Sequence, residues 1–325
     1  LAALCFIKPP GGSPADVPIH RSDFLLNTFV DIAIYDSRDE SILDGAMALC
    51  REYENRFSRT LSGSEVYRLN HREDATGTYP LSDDMTNLLA TALYYCERSG
   101  GAFDITTEPL SSLWNFSGTS PSVPPAEAIE EARKKVDYKK LRLDGTRSTL
   151  TFLDPGTSID LGAIAKGYIA DQLKAYLLDS GVESAMINLG GNVLCVGSRP
   201  DGTPFTVGLQ KPFADRNETF AQVEVSDLSV VASGVYERHF VEDGKNYHHI
   251  LDPSTGYPYD NGLISVTILS ERSVDGDALS TTCFSLGLSR GMELVESMDG
   301  VYACFIDEDY QIHYSDGMEK FLRKD

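Results

Sequence analysis

The sequence of 325 residues is poor in positive charge. It contains 28 lysine and arginine residues against 49 aspartate and glutamate residues, which gives a formal net charge of −21. Such a surface repels the phosphates of nucleic acids and anionic membranes, so we expect no nucleic-acid partner. A small ligand that carries phosphate would need a local device to hold it: a metal ion, a helix N-terminus or one lysine.

Cysteine patterns with a structural role are also missing. None of the six cysteines forms a Cys-x-x-Cys pair, so the chain has neither a zinc signature nor a disulfide framework. Buried free thiols are expected at Cys50, Cys96, Cys195, Cys283 and Cys304. Cys5 ends the small-residue run that starts at Leu1, and two interpretations stay open for it. It is the lipid-bearing cysteine of a lipoprotein signal, or the run is simply an edge of the sequence.

Long apolar runs, internal repeats and low-complexity linkers are absent too. No stretch reaches the roughly 18 apolar residues that would predict a membrane-spanning helix. Residues 1–22, with a run of prolines and glycines at 9–14, are predicted to form an N-terminal tether. Residues 23–325 are predicted to form one domain.

Hydrophobic periodicity predicts a mixture of helices and strands. Phe24 to Tyr35 is predicted to be one strand. Helices are predicted at Ser41 to Phe57, Ser82 to Ser99, Ala126 to Val136, about 163–180 and about 275–298. From about residue 140, short strands are separated by glycine and aspartate turns. Because strands and helices do not alternate regularly, an α+β fold is favoured over a doubly wound sheet.

A glycine junction at Asp160 to Asp171 is the first segment with chemical potential. Ser158 to Leu161 is predicted to be a strand that passes through Gly162 into a helix, so free backbone N–H groups would face one spot. Lys166 lies near that helix end and could reach a phosphate. The alternative is a structural junction with a surface lysine.

A double glycine and a histidine pair follow. Asn188 to Val193 is a strand that meets Gly190-Gly191, which taken alone predicts a tight turn or bulge. His248 and His249 would lie on opposite faces of a strand, so they cannot easily bind one metal together. One of them is predicted to point inward as a donor or base.

Asp277 and Thr281 are four residues apart, so on a helix they share one face. A carboxylate and a hydroxyl offer the hard oxygen ligands that suit Mg²⁺. The alternative is a capping arrangement at the start of a helix.

Taken together and in this order, the segments resemble the ApbE family, the FAD:protein FMN transferases. The resemblance covers roughly residues 24 to 320. It is carried by Ser64–Asn70, Gly101–Thr106, Leu113–Phe116, Asp160–Asp171, Asn188–Gly191, Ala232–Arg238, His248–Pro258 and Asp277–Thr281.

The resemblance implies a single α+β domain with mixed, largely antiparallel sheets, packed helices and FAD in a central cleft. It implies Mg²⁺ held by the side chains of Asp277 and Thr281 and by the carbonyl of Ala163. It places His249 beside the pyrophosphate, where it assists transfer. The positions that it implies for contact with FAD are Leu26, Thr60, Ala102, Phe103, Asp104, Asp160, Lys166, His249 and Ile250. Leu26 and Thr60 depart from the family pattern, and the small Thr60 side chain offers little area for stacking.

The implied reaction is Mg²⁺-dependent transfer of FMN from FAD, as substrate, to a threonine of an acceptor protein, with release of AMP. The implied acceptor carries a Ser- or Asp-Gly-Ala motif that ends in threonine. Two alternatives are hydrolysis of FAD to FMN and AMP, and an FAD-binding lipoprotein without turnover. The expected location is the extracytoplasmic face of a bacterial membrane, with Cys5 as the lipid anchor.

Overall fold

The computed structural model describes residues 17–74, 76–215 and 217–324, so Cys5 and its predicted lipid anchor lie outside the described residues. The α-helices are α1 (Glu40–Phe57), α2 (Glu65–Asn70), α3 (Asp83–Arg98), α4 (Glu108–Trp114), α5 (Ala126–Arg133), α6 (Ala165–Asp179) and α7 (Ser273–Glu296). The strands are β1 (Ile19–Leu25), β2 (Thr28–Ile34), β3 (Gly77–Pro80), β4 (Leu141–Asp144), β5 (Thr149–Phe152), β6 (Ala185–Leu189), β7 (Asn192–Val196), β8 (Phe205–Gln210), β9 (Thr219–Val225), β10 (Ser229–Gly234), β11 (His239–Glu242), β12 (Lys245–His248), β13 (Leu263–Ser270), β14 (Tyr302–Asp307) and β15 (Ile312–Tyr314).

The centre of the molecule is an eight-stranded sheet in the order β1-β2-β6-β7-β10-β13-β14-β15. Each neighbouring pair in it is antiparallel. Smaller antiparallel sheets are formed by β3-β5-β4, β8-β9 and β11-β12. The predicted α+β class with largely antiparallel sheets is therefore confirmed.

Both faces of the central sheet are covered, which explains why its middle strands are apolar on both sides. β6, β7 and β13 are buried along their whole length. Helices α6 and α7 pack on one face and contact each other. The β8–β9 hairpin packs on the other face, where Phe205 and Val223 join Val230 and Leu269 in a second apolar cluster. The strands of this buried sheet also border a cavity, where Asn192 of β7 and Val231 of β10 are lining residues.

The predicted helices are confirmed with boundary shifts of a few residues, and the five described cysteines are buried free thiols as expected.

The single strand predicted from Phe24 to Tyr35 is wrong. The chain turns at Leu26 and Asn27, both with φ of 56°, and β1 pairs back on β2 from Ile19. The predicted tether boundary at residue 22 therefore falls inside β1. No helix in the described part of the chain is long and apolar enough to cross a membrane.

The strand predicted at Ser158 to Leu161 is also wrong, because this segment joins no sheet. Its backbone instead bonds to a loop and to a side chain: Asp160 N donates to Ile105 O at 2.8 Å, and Ile159 N donates to Asn70 Oδ1 at 2.8 Å. The hydrophobic pattern of a buried strand is present, but its polar groups are satisfied outside a ladder.

Candidate active site

A cavity of about 660 Å³ opens beside the N-terminal halves of α6 and α7. Its volume is in the range of sites that bind small molecules and cofactors. It brings together every residue that the sequence predicts for the site. The lining includes Leu26, Thr60, Ala102, Phe103, Asp104, Asp160, Ala163, Lys166, His249, Ile250, Asp277 and Thr281.

Lys166 and Asp277 form an ion pair at the centre of this lining. Lys166 Nζ lies 3.6 Å from Asp277 Oδ1 and donates to the carbonyl of Gly162 at 3.2 Å. The other carboxylate oxygen of Asp277 accepts a hydrogen bond from the backbone N–H of Gly167 at 2.9 Å. Asp277 is only 4% exposed, so its carboxylate has lost its contacts with water. The ion pair and the hydrogen bond compensate for that loss.

The pair depends on a close approach between α6 and α7. A Cβ atom at Gly167 would lie 2.3 Å from the carbonyl oxygen of Ser273 and 2.7 Å from Asp277 Cβ, so only glycine fits there. Asp171 of α6 accepts hydrogen bonds from the backbone N–H groups of Ser273 and Val274 at 2.8 and 2.9 Å. Burial raises the pKa of Asp171 to about 6. Sequence reasoning assigned no role to Gly167 or Asp171.

Asp277 and Thr281 lie one turn apart in α7, as predicted. The alternative, a cap at the start of a helix, is wrong, because α7 begins at Ser273 and Asp277 accepts from α6 instead. Thr281 Oγ1 lies 3.2 Å from Ser233 Oγ of β10. The described residues contain no group of three or more His, Cys, Asp or Glu that could hold a metal. A metal ligand set in this part of the chain would therefore need oxygens from hydroxyl or backbone carbonyl groups beside its carboxylates.

The two adjacent histidines have different surroundings. Nδ1 of His248 accepts from the N–H of Ile250 at 3.3 Å, so its Nε2 carries the proton and donates to the carbonyl of Tyr259 at 2.9 Å. His249 lines the cavity, and its buried Nδ1 has no hydrogen-bond partner. Burial lowers the pKa of His248 to about 4 and that of His249 to about 3, the latter with help from the positive charge of Arg238. Both rings are therefore neutral near pH 7, and His249 is the inward-facing histidine because it lines the cavity with an unpartnered Nδ1.

Two further carboxylates, Asp104 and Asp160, line the cavity. Asp104 accepts from Thr106 N at 2.7 Å, from Thr106 Oγ1 at 2.6 Å and from Tyr138 N at 2.9 Å. Burial raises its pKa although these hydrogen bonds act in the opposite direction. Asp160 accepts from Gly162 N at 2.9 Å, and its other oxygen lies 3.4 Å from Arg59 Nε.

The polar lining residues that sequence reasoning did not assign to the site include Arg59, Arg238 and Asn192. Arg59 precedes a position that the resemblance already marked, and Asn192 follows the double glycine. No periodicity or spacing distinguishes either of them from an ordinary loop or strand residue.

Comparison with known proteins gives concordant results. The profile of the ApbE family matches residues 26–306. An FAD:protein FMN transferase of Klebsiella pneumoniae (strain 342) is 37% identical over 293 residues, which is 90% of this chain and 90% of that protein. An FAD:protein FMN transferase of Treponema pallidum (strain Nichols) is 32% identical over 339 residues, with coverage of 98% and 93%.

Solved structures give the same answer for the fold. The ApbE protein of Thermotoga maritima superposes with a TM-score of 0.85 at 32% identity and covers 94% of this chain and 100% of that one. The flavin transferase ApbE of Vibrio cholerae superposes with a TM-score of 0.84 at 27% identity, with coverage of 94% and 99%.

Proposed function

This chain belongs to the ApbE family and is a flavin transferase, and we propose that it moves FMN from FAD to a threonine of an acceptor protein in a Mg²⁺-dependent reaction that releases AMP. One observation carries the proposal: residues predicted from distant parts of the sequence converge on a single cavity around Lys166 and Asp277.

The cavity suits a pyrophosphate in a chain that otherwise repels anions. The net charge of −21 makes local neutralisation necessary. Lys166 and Arg59 line the cavity, and Lys166 lies in the first turn of α6. A lysine and a helix N-terminus stabilise negative charge that develops on a leaving phosphate.

The donor set beside Lys166 fits Mg²⁺. The carboxylate of Asp277, the hydroxyl of Thr281 and the backbone of Ala163 all line the same cavity, and each offers a hard oxygen ligand. Asp277 already balances one positive charge, from Lys166, at 3.6 Å. Bound Mg²⁺ would supply further neutralisation of the phosphates in the transition state.

We infer that His249, which lines the cavity, takes up the proton of the acceptor. In the proposed reaction the threonine oxygen forms a bond to the phosphorus of the FMN half, and the bond from that phosphorus to the AMP oxygen breaks. AMP leaves with the bonding electron pair, and the threonine proton passes to the neutral ring of His249. A bound pyrophosphate would raise the low pKa of this ring, because a negative neighbour favours its charged form.

The experiment that tests this function is incubation of the protein with FAD, Mg²⁺ and an acceptor that carries the Ser- or Asp-Gly-Ala motif followed by threonine. Intact mass and in-gel flavin fluorescence should show one FMN added to the acceptor, together with released AMP. Free FMN without an adduct would favour hydrolysis instead. FAD that stays intact would favour a binding protein without turnover.

We extend the proposal to the location of the protein. The run from Leu1 to Cys5 supports a lipid anchor on Cys5 and a position on the extracytoplasmic face of the membrane. Expression of the chain behind a bacterial lipoprotein leader should give a membrane-bound protein that incorporates labelled fatty acid. The Cys5→Ser variant should lose the label, and equal labelling of both proteins would refute the anchor.

A further inference from the structure

Unpartnered polar atoms are rare in the interior of this protein. Within the described residues, four buried side-chain polar atoms have no hydrogen-bond partner: Ser184 Oγ, Asn192 Nδ2, His249 Nδ1 and Thr282 Oγ1. A buried donor without a partner lowers the stability of the fold by about 1–3 kcal/mol, so each such atom needs a structural or functional reason. Two of the four belong to residues that line the cavity, namely Asn192 and His249.

The carboxamide of Asn192 is held from one side only. Ser273 Oγ donates to Asn192 Oδ1 at 2.8 Å, and Ser229 Oγ donates to Ser273 Oγ at 2.9 Å. These hydroxyls fix the oxygen toward the start of α7 and leave Nδ2 as the free end. Asn192 is 1% exposed and is the first residue of a strand that is otherwise apolar. The contact with Ser273 uses only Oδ1, so it gives no structural partner to Nδ2.

Helix α7 locates Asn192 relative to the proposed chemistry. Asn192 contacts Ser273, Asp277 is one turn further along, and Phe284 lies against His248 with ring centroids 5.8 Å apart. Eleven residues of helix span about 16 Å. His248 thus lies toward one end of this span and Asn192 at the other, with Asp277 between them along the helix.

The Asn192 end of the cavity is made of two hairpin turns. Gly190 and Gly191, with φ of 65° and 100°, join β6 to β7, as the double glycine predicts. They adjoin the turn at Leu26 and Asn27, because a Cβ at Gly190 would lie 2.0 Å from Thr28 Oγ1. The missing side chain of Gly190 thus lets the two turns pack directly against each other.

We propose that Asn192 is a substrate-binding residue, whose Nδ2 donates a hydrogen bond to an oxygen of the molecule that fills this end of the cavity. The inference rests on the proposed function, which supplies two sources of such an oxygen: FAD itself and a backbone carbonyl of the acceptor segment. Nδ2 is shielded from water in the free protein, so it meets the ligand after a small side-chain rotation of the kind that accompanies binding.

Two substitutions separate the donor from the rest of the side chain. Asn192→Ala removes the whole carboxamide. Asn192→Asp keeps an oxygen for Ser273 while it removes the donor and adds a negative charge. The matched control is Ser184→Ala, which removes another unpartnered buried group just before β6, outside the cavity.

Each variant is measured in two arms: the Kd of FAD without acceptor, and the KM of the acceptor at saturating FAD. If the oxygen belongs to FAD, the Kd of FAD should rise. The rise should be roughly 3–10-fold if the oxygen is a neutral carbonyl and roughly 10–100-fold if it belongs to a phosphate, and it should be larger for the Asp variant than for the Ala variant. If it belongs to the acceptor, the Kd should stay constant and the KM should rise roughly 3–10-fold. In both cases Ser184→Ala should match the wild type.

The inference is overturned if both Asn192 variants keep the Kd and KM of Ser184→Ala. It is also overturned if they lose only thermal stability and active fraction, since Asn192 would then serve the fold. The FAD arm needs no turnover. A wild-type protein that binds FAD but transfers nothing would refute the proposed function, and weaker FAD binding by the Asn192 variants would still support this inference.

Discussion

Gly167→Ala is the sharpest test of how the fold builds the site. The added methyl would lie 2.3 Å from the carbonyl oxygen of Ser273, where ordinary contact needs at least 3.4 Å. Helix α6 would therefore have to retreat from α7 by about 1 Å. The hydrogen bond from Gly167 N to Asp277 Oδ2, now 2.9 Å, would stretch beyond bonding distance.

Two effects should follow, and they have different sizes. A misplacement of about 1 Å in catalytic geometry costs about 10²-fold in rate. Overpacking costs about 1–3 kcal/mol, and the better helix propensity of alanine returns about 1 kcal/mol of that. We therefore expect FMN transfer to fall by about 10²-fold, while the free energy of unfolding falls by at most about 2 kcal/mol.

The assay is the initial rate of FMN transfer at saturating FAD, paired with urea unfolding of the same preparations. Gly63→Ala is the matched control, because its methyl would meet no atom within 4 Å and its φ is not in the left-handed region. It should keep the wild-type rate. Wild-type transfer by the Gly167→Ala variant would show that the contact between α6 and α7 does not hold Asp277 in its working position.

Four further predictions concern the same cavity. Asp277→Ala should abolish Mg²⁺-dependent transfer while the circular dichroism spectrum stays native. The control variant Glu293→Ala, at an exposed position of the same helix, should remain active. Normal transfer by Asp277→Ala would refute the metal assignment. His249→Ala should slow transfer by roughly 10²–10⁴-fold, and a loss of FAD affinity at an unchanged rate would make His249 a binding residue instead. The folded-state pKa values of about 4 for His248 and about 3 for His249 lie below the ordinary value of 6.5, so the contribution of these neutral rings to stability is complete above pH 6.5 and is lost as the pH falls. Urea unfolding should show that the free energy of unfolding is lower by about 2 kcal/mol per histidine at pH 5. The His248→Gln variant should show a weaker pH dependence. The enzyme incubated alone with FAD and Mg²⁺ should keep its unmodified mass, and an FMN adduct on this chain would refute transfer in trans.

Local pattern was sufficient for most of the helices. The amphipathic spacing from Ser41 to Phe57 predicted α1 almost to the residue, because that spacing directly reflects which face of a helix is buried. The hairpin turn at Leu26 and Asn27 could not be predicted in this way. It contains no glycine, and a leucine with positive φ has no sequence signature, since tertiary packing holds it there.

The sequence by itself determined the family, the fold class and a set of site residues that all line one cavity, because ordered motifs preserve the chemistry of a site. Strand periodicity alone did not distinguish His248 from His249, which only the family resemblance did, and nothing in the sequence singled out Asn192. These decisions depend on which side-chain atoms find partners after distant segments pack together. Tyr259 and Ile250 satisfy the ring of His248, while Nδ1 of His249 and Nδ2 of Asn192 are left unpartnered at the wall of the cavity. Hydrogen-bond satisfaction is a property of the packed interior, so only the tertiary structure could decide it.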